Sequence, residues 1–227
     1  GCTGFVGPAS KPVPLSAEEV EKMGVEKAAP LSVDFAVGDT VPYLTNRGVK
    51  GYFEALKTPV VVKETEGKKA FHFDGSQLFR SSFSLPATLQ DNAPYTLEAW
   101  VLNDSIAENE CVADFTTSHD ELEKIMLVNG TEPRCGVINH YGWYEDVGYK
   151  GMKELTGRWQ HIYICFDGRM EQVYINGEQV SGKDIQLLVK PSQFVTLGRN
   201  AEGEWPFTGY LHSLKLWDEY IPLQGRK

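Results

Sequence analysis

The residues of this chain best suited to chemistry run from Asn139 to Tyr149: Asn139-His140-Tyr141-Gly142-Trp143-Tyr144-Glu145-Asp146-Val147-Gly148-Tyr149. Aromatic and acidic side chains crowd together there between glycines, with neither helical nor strand periodicity. Sugars present flat apolar faces edged with hydroxyl groups, so a carbohydrate site needs exposed rings beside carboxylates and amides. Tyr141, Trp143 and Tyr144 are the expected stacking platforms, with Asn139, Glu145 and Asp146 accepting hydroxyl protons. Trp205, between Glu202-Gly203-Glu204 and Pro206, stands in a segment of similar character. The competing use of these rings is to plug the edge of a hydrophobic core.

Hydrolysis makes different demands. A glycosidase needs two carboxylates about 5–5.5 Å apart for retention or about 6.5–9.5 Å for inversion. Glu108-Asn109-Glu110 puts two acids on one face of an extended segment without a third partner, and Asp120-Glu121-Leu122-Glu123 reads as a solvated acidic patch. No G-x-S-x-G elbow is present, and His72, His119, His140, His161 and His212 are scattered. His161 reads as a structural hydrogen-bonding residue.

Four cysteines stand at 2, 111, 135 and 165, with no C-x-x-C and no His pair at ligand spacing, which argues against structural zinc. Cys165 reads as a small buried hydrophobe. Cys111 and Cys135 can pair only if the fold brings their Cα atoms within about 7 Å. Cys2, followed by Thr3-Gly4 and a proline-rich stretch through Pro14, resembles the lipid-bearing first residue of a mature bacterial lipoprotein. That resemblance implies an envelope location, with membrane contact only through a lipid on Cys2.

The elements that must position these residues are mostly strands. Residues 1–30 read as a tail and linker, with a short helix over Ser16–Gly24 opened by a Ser16/Glu19 capping box. Residues 31–227 form one domain. Extended segments are expected over 32–37, 60–62, 70–73, 95–102, 160–166, 171–175, 194–197 and 209–217. Asp74-Gly75, Asp167-Gly168 and Asn176-Gly177 supply tight turns. Leu122, Ile125 and Met126 fit a short helix or a loop. Many short strands with frequent turn signals indicate an all-β, two-sheet antiparallel sandwich. The net charge of −9, from 22 basic against 31 acidic residues over 227 positions, excludes the basic stripe a nucleic-acid binder needs. No apolar run approaches the roughly 20 residues that span a bilayer.

Taken in order, Phe71-His72-Phe73-Asp74-Gly75, Tyr95–Val101, Trp159–Tyr163, Phe166-Asp167-Gly168, Val173–Gly177, and Phe207–Leu211 with Leu214–Trp217 resemble the laminin G-like, concanavalin A-like jelly roll. The resemblance runs from about residue 31 to 222. It implies that Trp100 and Trp159 fill the space between the two sheets. It also suggests a structural calcium ion held by Asp34 and Asp74, although Leu211-His212-Ser213-Leu214 stands where the family often carries acids. The E-x-D-x-x-E pattern of laminarinase-type members is absent. The leading expectation is therefore a non-catalytic, lectin-like, monomeric module of the bacterial envelope, binding a glycan or a surface protein. A glycoside hydrolase with acids drawn from distant strands and a protein-binding adhesion module are the alternatives.

Overall fold

Asn176 and Gly177 show how local sequence builds this molecule. Both take positive φ, 52° and 82°, the conformation of a two-residue hairpin turn whose twist matches the strands it joins. The computed structural model describes residues 29–33, 40–41, 43–46, 48–106, 109–120, 122–130, 136–140 and 156–223. Its strands begin with β1 (Leu31–Val33), β2 (Thr40–Val41), β3 (Tyr43–Asn46), β4 (Gly51–Ala55), β5 (Val60–Thr65) and β6 (Lys68–Asp74). They continue with β7 (Phe79–Ser81), β8 (Tyr95–Asn103), β9 (Asn109–Asp114), β10 (Met126–Gly130) and β11 (Gly136–Ile138). The last are β12 (Trp159–Phe166), β13 (Met170–Ile175), β14 (Glu178–Asp184), β15 (Thr196–Leu197) and β16 (Thr208–Trp217). A single 3₁₀ turn over Ala87–Leu89 is the one helical element among the described residues.

The strands form an antiparallel jelly-roll sandwich. One layer runs β11-β10-β9-β15-β7-β4-β3, and the other is centred on β16-β8-β12-β13-β14 with β6 and β5 beside β16. β1 pairs with both β3 and β16 and so joins the layers. One continuous core fills the space between them: Phe53, Phe79, Val112, Phe115 and Leu127 from the first layer meet Leu97, Val101, Ile164, Phe166 and Leu214 from the second. Close packing there reaches the backbone. A Cβ on Gly209, whose φ is +146°, would lie 2.2 Å from the Leu102 carbonyl oxygen.

Two sequence expectations change. Trp100 and Trp159 do not lie between the sheets. Leu97, Ala99 and Val101 point into the core, so Thr96, Glu98 and Trp100 point to the outer face of the second layer. There Trp100 packs on His161, with ring centroids 4.9 Å apart, under the Lys68 ammonium at 4.3 Å. Trp159 is half-buried on the same face and donates its indole N–H to the Thr65 carbonyl at 3.0 Å. His161 meets Glu98 at 3.0 Å, a structural bond as its context suggested. Residues 219–221 cover the neighbouring part of this face through bonds with Thr96 and Tyr163. Met126, in turn, opens a strand, because β10 pairs with both β9 and β11. The expected helix over Ser16–Gly24 lies outside the described residues.

Candidate functional site

The loops at one end of the sandwich enclose an open cleft of about 420 Å³, lined by Ser84, Leu85, Gln90, Thr117, Pro191, Ser192, Gln193 and Phe194. Three chain segments build it. Leu85 N–H donates to the Ser192 carbonyl at 2.9 Å, tying the first wall to the second. The Ser192 hydroxyl turns back onto the Phe194 carbonyl at 2.7 Å, and Asp91 and Val189 exchange a pair of backbone bonds at the base of both walls. Phe194 is half-buried, and the Arg80 guanidinium lies 4.3 Å from its ring centroid. Such a cation–π contact is worth about 0.5–1 kcal/mol at an exposed site.

The third wall carries Thr117 and is fixed from below. Lys124, 3% exposed, donates to the carbonyls of Thr116 at 2.6 Å and Ser118 at 3.2 Å, and it pairs with Asp114 at 2.8 Å. Burial pushes the Asp114 carboxyl above its ordinary value, and the Lys124 charge opposes that push. An ion pair sealed from water needs further polar partners, and here the loop's own carbonyls are among them.

Below this wall, Asn139 and His140 enter a second buried cluster. The His140 Nε2 lies 2.7 Å from one Glu171 carboxylate oxygen, which also accepts the Tyr95 hydroxyl at 2.7 Å. The Asn139 amide donates to the other Glu171 oxygen at 2.6 Å. The His140 Nδ1 reaches the Lys124 carbonyl at 2.8 Å, joining the cluster to the cleft wall. Burial pushes the Glu171 carboxyl up, but the His140 charge and the bonds from His140, Tyr95 and Asn139 outweigh it, so the group sits below its ordinary value. Burial and the Glu171 charge push the Tyr95 phenol well up, keeping it a donor.

Asn139 is therefore fully buried and serves this cluster, not a surface. Tyr141, Trp143, Tyr144, Glu145 and Asp146 lie outside the described residues, as do Cys2, Asp34 and Cys135. Trp205 is half-buried over Cys111, Met126 and Val128 on the outer face of the first layer. Cys111 and Cys165 are buried free thiols. Asp74 caps its own turn, one oxygen accepting the Ser76 N–H at 2.9 Å and the Ser76 hydroxyl at 2.5 Å. Among the described residues no three His, Cys, Asp or Glu side chains gather in a way that could hold a metal ion. The cleft residues carry no local sequence signal. They come from three separated segments, and Phe194 reads in sequence as the start of a strand.

The laminin G-type model of the concanavalin A-like lectin/glucanases superfamily matches residues 75–222. The chain belongs to this superfamily. No curated protein matches it. Among solved structures it is similar to domain 4 of a GH43 extracellular arabinanase from Geobacillus stearothermophilus, in complex with arabinotriose, at 18% identity and a TM-score of 0.50. That likeness covers 72% of this chain and 77% of the other. It is also similar to the binding domain of Paraclostridial Mosquitocidal Protein 1, at 10% identity and a TM-score of 0.57 over 86% of this chain and 50% of that one. A Trypanosoma rangeli sialidase mutant displaying trans-sialidase activity matches at 13% identity and a TM-score of 0.53, over 84% of this chain and 30% of the enzyme. The chain thus spans half or less of the last two.

Proposed function

We propose that this superfamily member is a non-catalytic glycan-binding module whose site is the cleft around Phe194. The observation that carries the reading is the lining itself. A half-buried ring stands beside two hydroxyls, from Ser84 and Thr117, and two amides, from Gln90 and Gln193, in an open cleft of about 420 Å³. That volume suits a small ligand, and an aromatic face with convergent polar groups is what a sugar ring and its hydroxyls require. The arabinotriose held by the similar arabinanase domain supports the same class of ligand. Tyr141, Trp143, Tyr144, Glu145 and Asp146, which lie outside the described residues, are further candidates on their chemistry alone, as rings for stacking and carboxylates that accept hydroxyl protons.

A glycan array probed with the wild type and with Phe194→Ala tests the reading. Expected is at least a tenfold loss of signal in the variant, about 1.4 kcal/mol or more, with the melting temperature lowered by only a few degrees. Full retention of binding would remove Phe194 from the site. Release of reducing ends from the bound glycans would replace binding with hydrolysis.

The envelope location rests on Cys2. Mass spectrometry of the protein from its native host should show a diacyl or triacyl adduct there, and a bare thiol rejects the tether. A structural calcium held by Asp34 and Asp74 should lower the melting temperature when EGTA removes it; an unchanged melting temperature rejects the ion.

A further inference from the structure

Arg169 and Arg199 use their N–H donors within the chain. Arg169 pairs with Asp184 at 3.1 Å, and Arg199 donates to the carbonyls of Gly203 at 2.9 Å and Gly75 at 2.6 Å. Arg80 is different. It is exposed on β7 and stands directly opposite Glu54 of β4, a register in which opposite charges attract. The two nonetheless form no ion pair, and among the described residues the guanidinium has no hydrogen-bonding partner. It lies instead 4.3 Å from the ring centroid of Phe194, at the rim of the cleft. A guanidinium meets an aromatic ring with its flat face, and its N–H donors lie in its plane and point outward, so they stay available. A second cation stands near. Lys190, 47% exposed, precedes the lining Pro191 and meets Glu123 at a loose 3.6 Å, while that carboxylate also accepts the Ser118 hydroxyl at 2.7 Å.

We infer that the glycan held in this cleft is anionic, a carboxylate or sulfate of the sugar being bound at the rim by Arg80, with Lys190 as the second cation. The inference rests on the glycan-binding reading above and names its ligand class. The guanidinium fork matches two oxygens of either group, and such charge-assisted bonds are about twice as strong as neutral ones. The lining hydroxyls and amides serve the rest of the sugar, since each donates and accepts as a sugar hydroxyl does. The net charge of −9 does not oppose this, because charges more than about 8 Å away are largely screened at physiological ionic strength and the nearest ones decide.

The test uses the full chain on an array of matched pairs, one glycan carrying a uronate, a sialic acid or a sulfate and its mate neutral, at about 50 and 500 mM NaCl. Arg80→Gln, Arg80→Lys and Lys190→Gln are the variants, with melting temperature as the control for folding. The anionic member of a pair should give at least about tenfold more signal than its mate and weaken severalfold between the two salt concentrations. On that glycan Arg80→Gln should lose at least about tenfold, Lys190→Gln about twofold to fivefold, and Arg80→Lys should keep only part of the signal, because an ammonium is a point charge without the fork. Carboxylated against sulfated hits tell which anion is bound. Neutral mates bound as strongly as anionic ones would overturn the inference while leaving the glycan-binding reading intact. Anionic hits indifferent to Arg80→Gln would also overturn it, by placing recognition elsewhere. Binding to no glycan would bring down the glycan-binding reading itself, and this inference with it.

Discussion

His140 and Glu171 meet at 2.7 Å with both side chains sealed from water, one from the segment after β11 and the other from β13 in the opposite layer. Because Tyr95 and Asn139 complete the hydrogen bonding of the carboxylate, the pair locks the two layers together at the end that carries the cleft.

Removing the Glu171 charge tests this lock. The folded carboxyl sits below its ordinary value, so the unfolded chain binds the proton more readily. The contribution is therefore complete above about pH 4.3 and is lost as pH falls through the lower folded value. Glu171→Gln should destabilise the protein by about 3 kcal/mol at pH 7, measured by urea unfolding, and the gap from wild type should narrow below about pH 4. A gap that is constant across this range rules out the charged pair as its source.

Asp114 and Lys124 act on the cleft itself. Lys124→Met leaves the Asp114 carboxyl buried without its cation and frees the Thr116 and Ser118 carbonyls. A loss of about 3–5 kcal/mol is expected. Because the folded Asp114 carboxyl already sits above its ordinary value, acidification protonates it in the folded state and relieves part of that penalty. The variant should therefore be less destabilised at pH 4 than at pH 7. Equal deficits at the two pH values would contradict the assignment.

Trp205 separates packing from binding. Its ring covers Cys111, Met126 and Val128, and its backbone holds a positive φ of 57°. Trp205→Ala should cost about 1–2 kcal/mol by loss of partial burial and leave glycan affinity within about twofold. A tenfold loss of affinity with unchanged stability would restore it to the site.

Burial pushes the Cys165 thiol up to about 12, and burial with the Asp114 charge pushes Cys111 well above its ordinary value. Neither forms the reactive thiolate near neutral pH. Peptide mapping after Ellman's reagent or maleimide treatment at pH 8 should find both unlabelled in the native protein and labelled in urea. Rapid native labelling of either would show that its part of the sandwich opens readily.

Much of the architecture was legible because it is written in local patterns. Asn176-Gly177 and Asp167-Gly168 impose turns through their own backbone preferences, and the strands they join follow. The placement of Trp100 was also legible: it shares parity with Thr96 and Glu98, and Leu97, Ala99 and Val101 form the apolar set. Hydrophobicity alone misleads there because all nine residues of β8 are buried. The aromatic density around Asn139 pointed to a surface, whereas Asn139 itself is buried with Glu171, thirty-two positions away.

The sequence by itself determined an antiparallel all-β sandwich, its hairpins, and an acidic chain unsuited to nucleic acid, since backbone preference, alternation and net charge are properties of neighbouring residues or of their sum. Only the tertiary structure decided that Ser84, Gln90, Thr117, Gln193 and Phe194 share one cleft and that Lys124 braces it. Those residues are brought together by strand order and loop closure. Both are set by how the two layers bury their common core, which no single stretch of chain encodes.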